Sequence, residues 1–255
     1  MSKNQAEGGF FSHLSELRKR LIHSLIFLTI LFVICYYFSD YIYGFLVDPY
    51  AQAVKNDDLN RRLIFTALQE TFLTYLKVSF FAAFFFTSPI ILIQIWKFIA
   101  PGLYDDEKLA IMPYLVVTPI LFLLGGMLVY YLIMPLAIKF FLSFESAGLN
   151  TALPIQLEAK VNEYLSLVMK LIFAFGISFQ LPVVLSLLAR IGVVDSQFLK
   201  ERRKYVVVII FAAAALLTPP DPVTQIGLAI PLLLLYELSI ISVKFIEKKN
   251  KEKNA

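Results

Sequence analysis

Two acidic positions near the ends of apolar segments are the best candidates for binding chemistry. Glu16 lies in the polar stretch before the first apolar segment, and the triplet Asp105-Asp106-Glu107 lies between the second and third segments. Carboxylates bind guanidinium groups through paired, charge-assisted hydrogen bonds. If both positions lie on one side of a membrane, they can form an acidic patch that binds arginine side chains.

Each acidic position also has a purely structural explanation. Glu16 precedes Arg20 by four residues, which is the favourable order for an ion pair on an exposed helix. The triplet follows Pro101-Gly102 and opens the next apolar segment, where the helix dipole stabilises acidic side chains. Residue types alone favour these structural roles, and both alternatives remain open.

Other reactive constellations are absent from the sequence. It has no phosphate-binding loop of the G-x-x-x-x-G-K-[ST] type, no H-E-x-x-H zinc motif and no G-x-S-x-G nucleophile motif. The two histidines, His13 and His23, both lie at the first apolar segment, and Cys35 is the single cysteine. We therefore expect no enzyme activity, no metal, no cofactor and no intrachain disulfide.

One polar residue inside an apolar segment stands out. Gln180 lies mid-segment in Phe179-Gln180-Leu181-Pro182, and the proline can kink a helix and free a backbone carbonyl. Polar side chains within a membrane usually face protein or water, so we expect a functional or packing role for Gln180. Later in the chain, Asp221 or Thr224 can cap a helix after the proline-rich turn.

The elements that position these residues are membrane helices. The chain is 59% hydrophobic and 16% charged, against about 45–50% and about 25% in soluble domains. This composition predicts an all-α polytopic membrane protein with a single membrane domain over 1–255. Residues 1–20 form a cytoplasmic lead-in and 244–255 a cytoplasmic tail. The six predicted transmembrane helices are 21–43, 72–96, 110–138, 164–189, 205–217 and 226–243.

The last two predicted helices are short. The segment 205–217 has 13 residues and 226–243 has 18, whereas a membrane-spanning helix needs about 20. We expect the shorter one to be buried among other helices, to lie where the bilayer thins, or both.

The distribution of cationic residues predicts the orientation. Sixteen of the 23 Lys and Arg residues fall on the segments that face inward if the N-terminus is inside, and five fall on outer segments. Cytoplasmic loops carry such an excess, so both termini are predicted in the cytoplasm. The net charge of +4 is thereby explained by topology, and no nucleic-acid partner is expected.

A series of short motifs resembles the TatC family, the multispanning receptor subunit of the twin-arginine protein translocase. The motifs cover essentially the whole chain in the family's order and spacing. They are His13-Leu14-x-Glu16-Leu17-Arg18-x-Arg20, Ser88-Pro89-Ile90, Gln94-x-Trp96-x-Phe98-Ile99-Ala100-Pro101-x-Leu103-Tyr104-x-x-Glu107, Tyr164-Leu165-Ser166, Ala174-Phe175-Gly176-x-Ser178-Phe179 and Leu217-Thr218-Pro219-Pro220-Asp221.

The resemblance implies a function and a site. TatC proteins have six helices with both termini in the cytoplasm, and they bind signal peptides with consecutive arginines at the cytoplasmic face. On this resemblance Glu16 and Glu107 are the acceptors for those arginines, Phe98 and Leu103 shape the loop, and Arg18 belongs to the same lead-in.

The resemblance also implies partners and a location. Single-span TatA- and TatB-type subunits pack beside the fifth and sixth helices, the receptor self-associates, and folded cargo crosses a bacterial inner membrane using the proton-motive force. Asp221 and Gln225 match positions in the polar outer part of this region. Many relatives have glutamate where this chain has Gln180. The short fifth and sixth helices suggest a concave face on the protein. Because glutamine does not titrate, we expect Gln180 to act there as a hydrogen-bonding group and not as an obligatory proton relay.

Two other classes of function are alternatives at this point. A small-solute secondary transporter would explain broken helices and buried polar residues, but it predicts a site at the membrane midplane and pseudo-symmetric halves, and the sequence has no internal repeat. An intramembrane enzyme would need a nucleophile–base pair or a metal cluster, and the sequence offers neither.

Overall fold

The computed structural model describes residues 3–55, 61–99, 112–146, 153, 155–218 and 221–253, and for 3–14, 96–99, 112 and 249–253 it describes the backbone only. The described residues form helices and two isolated β-bridges. The helices are α1 (Lys3–Tyr37), α2 (Ser39–Val54), α3 (Glu70–Ile99), α4 (Met112–Leu128), a π-helical turn (Val129–Ile133), α5 (Met134–Leu142), α6 (Val161–Ser178), α7 (Leu181–Arg190), α8 (Ser196–Leu217) and α9 (Pro222–Lys253).

Five helical segments of the described chain are long and apolar enough to cross a membrane. They are Ser15–Tyr37, Glu70–Ile95, Pro113–Leu142, Val161–Arg190 and Pro222–Lys248. The predicted all-α, multi-pass membrane architecture is therefore confirmed.

The predicted helix 205–217 lies in α8, which is not one of these five segments. α8 begins at Ser196 and carries Lys200, Glu201, Arg202, Arg203 and Lys204 in its first half, so its apolar part remains short.

The helix boundaries differ from the predicted ones at several ends, and α1 ends at Tyr37, before the predicted end at 43. The lead-in is continuous with the first membrane segment, because α1 runs unbroken from Lys3 to Tyr37. The tail likewise continues α9 as far as Lys253. A further helix, α2, runs from Ser39 to Val54 and occupies the first part of the stretch between the predicted helices 21–43 and 72–96.

Side-chain hydroxyls explain why two helices continue through proline. Proline lacks the N–H that would bond to the carbonyl four residues earlier. In α2, Pro49 leaves the carbonyl of Phe45 without this donor, and the Tyr130 hydroxyl donates to that carbonyl at 2.8 Å. In α3, Pro89 leaves the carbonyl of Phe85 without its usual donor, and the Ser88 hydroxyl donates to that carbonyl at 2.7 Å. The backbone acceptors are thus satisfied and the helices are not broken.

Two other prolines coincide with changes of helix geometry. The π-helical turn Val129–Ile133 directly precedes Pro135, and the Met134 N–H bonds back to the carbonyl of Val129. This wider turn relieves the clash of a proline ring with the preceding turn. Farther along, α6 ends at Ser178 and α7 begins at Leu181, with Pro182 in its first turn.

The chain divides into two compact units. The first consists of Met1–Ile42 and Tyr75–Pro119, and the second of Tyr43–Thr74 and Ile120–Ala255. In the first unit, the buried residues Cys35, Ala82 and Ala83 join α1 to α3. In the second unit, α7, α8 and α9 share a cluster of buried side chains, and the hydroxyl of Tyr236 donates to the carbonyl of Leu199 at 2.7 Å.

An ion pair ties the connecting segments of the second unit together. The two terminal nitrogens of Arg61 each contact one oxygen of Glu145 at 2.6 Å. Glu145 also accepts the backbone N–H of Leu157 at 2.6 Å. A short β-bridge pairs Ile64 with Lys160 beside this contact. The Arg61 and Glu145 side chains are only 4% and 16% exposed, so water screens this pair little.

Candidate functional site

Arg20 joins the predicted acceptor Glu16 to α3 within the first unit. Its Nε donates to Oε1 of Glu16 at 3.1 Å, and its Nη2 also contacts that oxygen. Its Nη1 donates to the side-chain oxygen of Gln94 at 2.8 Å. Helix α1 positions Glu16 and Arg20 one turn apart, and α3 supplies the amide.

The Glu16 carboxylate keeps binding capacity in this arrangement. Among the residues that the structure describes, Arg20 is its hydrogen-bond donor, and both contacts use Oε1. A carboxylate has about four acceptor positions, so Oε2 is open to a second donor. The Glu16 side chain is 39% exposed. The helical ion pair of Glu16 and Arg20 is therefore present, and the Glu16 carboxylate can still accept a hydrogen bond from an external guanidinium.

The other predicted residues of the inner site are described only in part. Arg18 lies on α1 and is exposed. Phe98 lies on the last turn of α3, where the structure describes the backbone only, and Leu103 and Glu107 lie outside the described residues. The structure thus brings Glu16 to the end of α3, the helix that leads into the segment containing Leu103 and Glu107.

Sequence reasoning missed the role of Gln94. This amide occurs in the quoted motif, but no contact had been assigned to it. The available signal was its position, since a polar side chain within an apolar helix usually faces a protein partner.

Gln180 lies at the break between α6 and α7. It is 9% exposed, and its amide Nε2 lies 3.4 Å from the carbonyl of Gly176, one turn earlier. The Gln180 carbonyl accepts the N–H of Val184 at the start of α7. Gln180 therefore occupies a buried helix junction, as its neighbouring proline predicted.

Asp221 and Gln225 open helix α9. Asp221 is 4% exposed, and its carboxylate accepts the backbone N–H of Thr224 at 2.8 Å and the Thr224 hydroxyl. Asp221 is thus the helix cap that the sequence allowed. The Gln225 amide lies 3.4 Å from the carbonyl of Phe211, which connects α9 to α8.

The second unit contains a further ion pair that sequence reasoning did not predict. Arg203 of α8 donates to Glu237 of α9 at 2.6 Å, and each side chain is about half exposed. Glu237 is the acidic residue within the apolar part of α9. Its charge is balanced by a residue 34 positions earlier, which explains how it is accommodated in this helix.

The Glu16 carboxylate is a hydrogen-bond acceptor for cationic groups. Within the described residues, no group of three His, Cys, Asp or Glu side chains could hold a metal ion. The carboxylate of Glu16 already binds one guanidinium, which shows that its surroundings fit this chemical group.

Comparisons with known proteins agree with these features. Residues 12–231 match the family model described as Sec-independent protein translocase protein (TatC). The chain is 50% identical to the Sec-independent protein translocase protein TatC of Magnetococcus marinus, over 95% of this chain and 86% of that protein. It is also 50% identical to the TatC of Rickettsia prowazekii, over 93% of each chain.

A solved structure shows the same fold. A crystal structure of a twin-arginine translocase receptor TatC superposes with a TM-score of 0.76 at 39% sequence identity, and the match covers 92% of this chain and 99% of that one. The motif order, the helical membrane architecture and these similarities lead to one conclusion: the chain belongs to the TatC family of protein translocase proteins.

Proposed function

We propose that this protein is the receptor subunit of a twin-arginine translocase and that Glu16 and Glu107 bind the consecutive arginines of signal peptides. The observation that carries this proposal is the Arg20 guanidinium on Oε1 of Glu16. A peptide arginine offers the same donor group, and Oε2 offers it an acceptor. The proposed binding site also includes Arg18, Phe98 and Leu103.

The proposal includes a membrane topology. The apolar part of α8 is the fifth of six transmembrane helices, and both termini lie in the cytoplasm of a bacterium, at its inner membrane. The excess of Lys and Arg on the inner segments supports this orientation. The exposed apolar side chains of α8, including Val208, Ile209 and Leu216, support contact with lipid or with single-span helices.

Family membership supports the proposed partners and energy source. TatA- and TatB-type single-span subunits pack beside α8 and α9, the receptor self-associates, and the proton-motive force drives export of folded proteins. Asp221 and Gln225 stabilise the turn between these two helices, and Gln180 supports the concave face as a hydrogen-bonding group. No described feature favours the alternative of a small-solute transporter.

The test compares two peptides on the purified full-length protein. The affinity for a twin-arginine signal peptide is measured against that for its twin-lysine counterpart, in wild type and in Glu16→Gln and Glu107→Gln. We expect the wild type to prefer arginine, and each variant to lose about tenfold in affinity, because hydrogen bonds to charged groups contribute about 1.5–3 kcal/mol.

Glu201→Gln is the control, since Glu201 is an exposed acid on α8. Equal affinity of wild type for both peptides would contradict the receptor proposal. A preference for arginine that survives both substitutions would contradict the assignment of the two carboxylates.

A further inference from the structure

A cavity of about 460 Å³ lies between α2 and the π-helical turn, entirely within the second unit. Its lining includes Gly44, Phe45 and Asp48 from α2, and Tyr130 and Tyr131 from the π-helical turn. None of these residues has a role in the proposed recognition of signal peptides. Turns of the π type are rare and often occur at functional sites.

The cavity carries one carboxylate that lacks a cationic partner in the described part of the chain. Asp48 is half-buried, and its Oδ2 accepts the side-chain amide of Gln52 at 2.5 Å. No Lys, Arg or His among the described residues lies within 4 Å of it. Within the described part of the chain, Oδ1 therefore has no hydrogen-bond donor.

Three aromatic rings line the same cavity as this carboxylate. Phe45 and Tyr130 stack with ring centroids 4.3 Å apart, and Tyr130 and Tyr131 meet edge to face at 4.9 Å. Phe45 is 55% and Tyr131 is 70% exposed, so each has ring surface available. Aromatic faces attract organic cations. A metal ion would require several oxygen ligands, whereas one carboxylate among aromatic rings fits an ammonium group.

The position of the cavity indicates the source of the ammonium group. Tyr130, Tyr131 and Pro135 of its lining lie in the later part of the apolar segment Pro113–Leu142, and tyrosines are common at membrane–water boundaries. The exposed rings of Phe45 and Tyr131 suit contact with acyl chains. A lipid headgroup reaches this level of the bilayer with its ammonium group and its apolar chains together.

We propose that this cavity binds the ethanolamine headgroup of a phospholipid, with the ammonium held by Asp48 and the adjacent aromatic rings. Gly44 also lines the cavity, and a Cβ added there would meet no atom within 4 Å, so a larger side chain has room at this position. The site is independent of the inner face that we assign to signal peptides. Its role is to bind a specific lipid at the boundary that the charge distribution assigns to the outer side.

The test measures lipid retention by native mass spectrometry on the full-length protein. The protein is incubated with equal amounts of phosphatidylethanolamine and phosphatidylglycerol with the same acyl chains. We expect wild type to retain the ethanolamine lipid at least about threefold over the glycerol lipid. Asp48→Asn, which preserves the side-chain shape, should reduce this ratio to about one.

Two further variants locate the site. Gly44→Phe should abolish the preference by filling the cavity while leaving the carboxylate in place. Asp40→Asn is the matched control, because Asp40 is an exposed acid in the first turn of the same helix, and it should retain the preference. Thermal unfolding of each variant verifies that it is folded.

Three outcomes would overturn the proposal. Wild type could retain both lipids equally, as expected if the carboxylate binds a cationic protein segment instead of a lipid. The preference could survive Asp48→Asn, or it could survive Gly44→Phe. In the last case the headgroup would bind outside the cavity. None of these outcomes would affect the test of peptide recognition.

Discussion

The hydroxyl of Tyr130 donates to the backbone carbonyl of Phe45 at 2.8 Å, although the two residues are 85 positions apart. Pro49 cannot supply the usual donor to this carbonyl, since proline has no N–H. A side chain from the π-helical turn thus completes a hydrogen bond of α2. The stability of α2 therefore depends on a distant part of the second unit.

Tyr130→Phe should lower the free energy of unfolding by about 1 kcal/mol, because it leaves the partly buried carbonyl of Phe45 without a donor. Tyr131→Phe is the control, since its side chain is 70% exposed and its hydroxyl makes no hydrogen bond to the described residues. Thermal unfolding in detergent would compare the two variants. Equal effects would show that the Phe45 carbonyl does not depend on Tyr130.

Arg61→Met should destabilise the protein by about 3 kcal/mol, because it leaves Glu145 charged and shielded from water. The double variant Arg61→Met/Glu145→Met should recover much of this loss. Lys160→Met provides a control on the exposed pair of Lys160 and Glu163, whose charged atoms are 3.7 Å apart, and should cost below about 1 kcal/mol. A double variant as unstable as the single one would contradict this explanation.

The same ion pair should make stability depend on pH. Hydrogen bonds from Arg61 hold the pKa of Glu145 below its ordinary value, against the opposing effect of partial burial. The pairing therefore stabilises the folded chain above the usual glutamate pKa of about 4.3, and this contribution is lost as the pH falls through the lowered pKa.

The measurement is the difference in unfolding temperature between wild type and Glu145→Gln over a series of pH values. We expect the largest difference above about pH 5 and a decreasing difference below about pH 4. A difference that stays constant over this range would mean that the Glu145 charge is not involved.

Gln94→Leu should weaken binding of a twin-arginine signal peptide several-fold. Without the amide, Arg20 loses its bond to α3, and Glu16 is no longer held in one orientation. Gln197→Leu, at an exposed glutamine of α8, is the matched control. Because the expected loss is smaller than for Glu16→Gln, isothermal calorimetry on both variants would separate orientation from direct binding. An affinity equal to wild type would remove Gln94 from the site.

The long membrane helices were predictable from sequence, because their hydropathy signal is the sum over many apolar residues. The helix predicted over 72–96 is observed as Glu70–Ile99. The helix α2 was not predictable, because Pro49 signals a break and its compensating donor, Tyr130, is remote in sequence. Local patterns predict such breaks, and only the folded chain shows where a side chain compensates for the missing N–H.

The candidate site likewise has one contact that the sequence could predict and others that it could not. The pair of Glu16 and Arg20 follows from helical spacing and was predictable as an alternative to ligand binding. The contact with Gln94 spans 74 residues, and no local pattern specifies it. The ion pair of Arg203 and Glu237 is also a tertiary contact, so the sequence could locate the acid in α9 but not its partner.

The π-helical turn Val129–Ile133 has a consequence for deletions. Such a turn accommodates one residue more than an α-helical turn. Removing a single residue there would restore an ordinary α-helical turn, and later side chains would keep nearly their present orientation, because the π-helical turn absorbs its extra residue locally. Met134, Ala137 and Ile138, now buried, would therefore stay against their neighbours. A deletion in the π-helical turn should thus cost less stability than a deletion within α5, which would rotate every later side chain by about 100°.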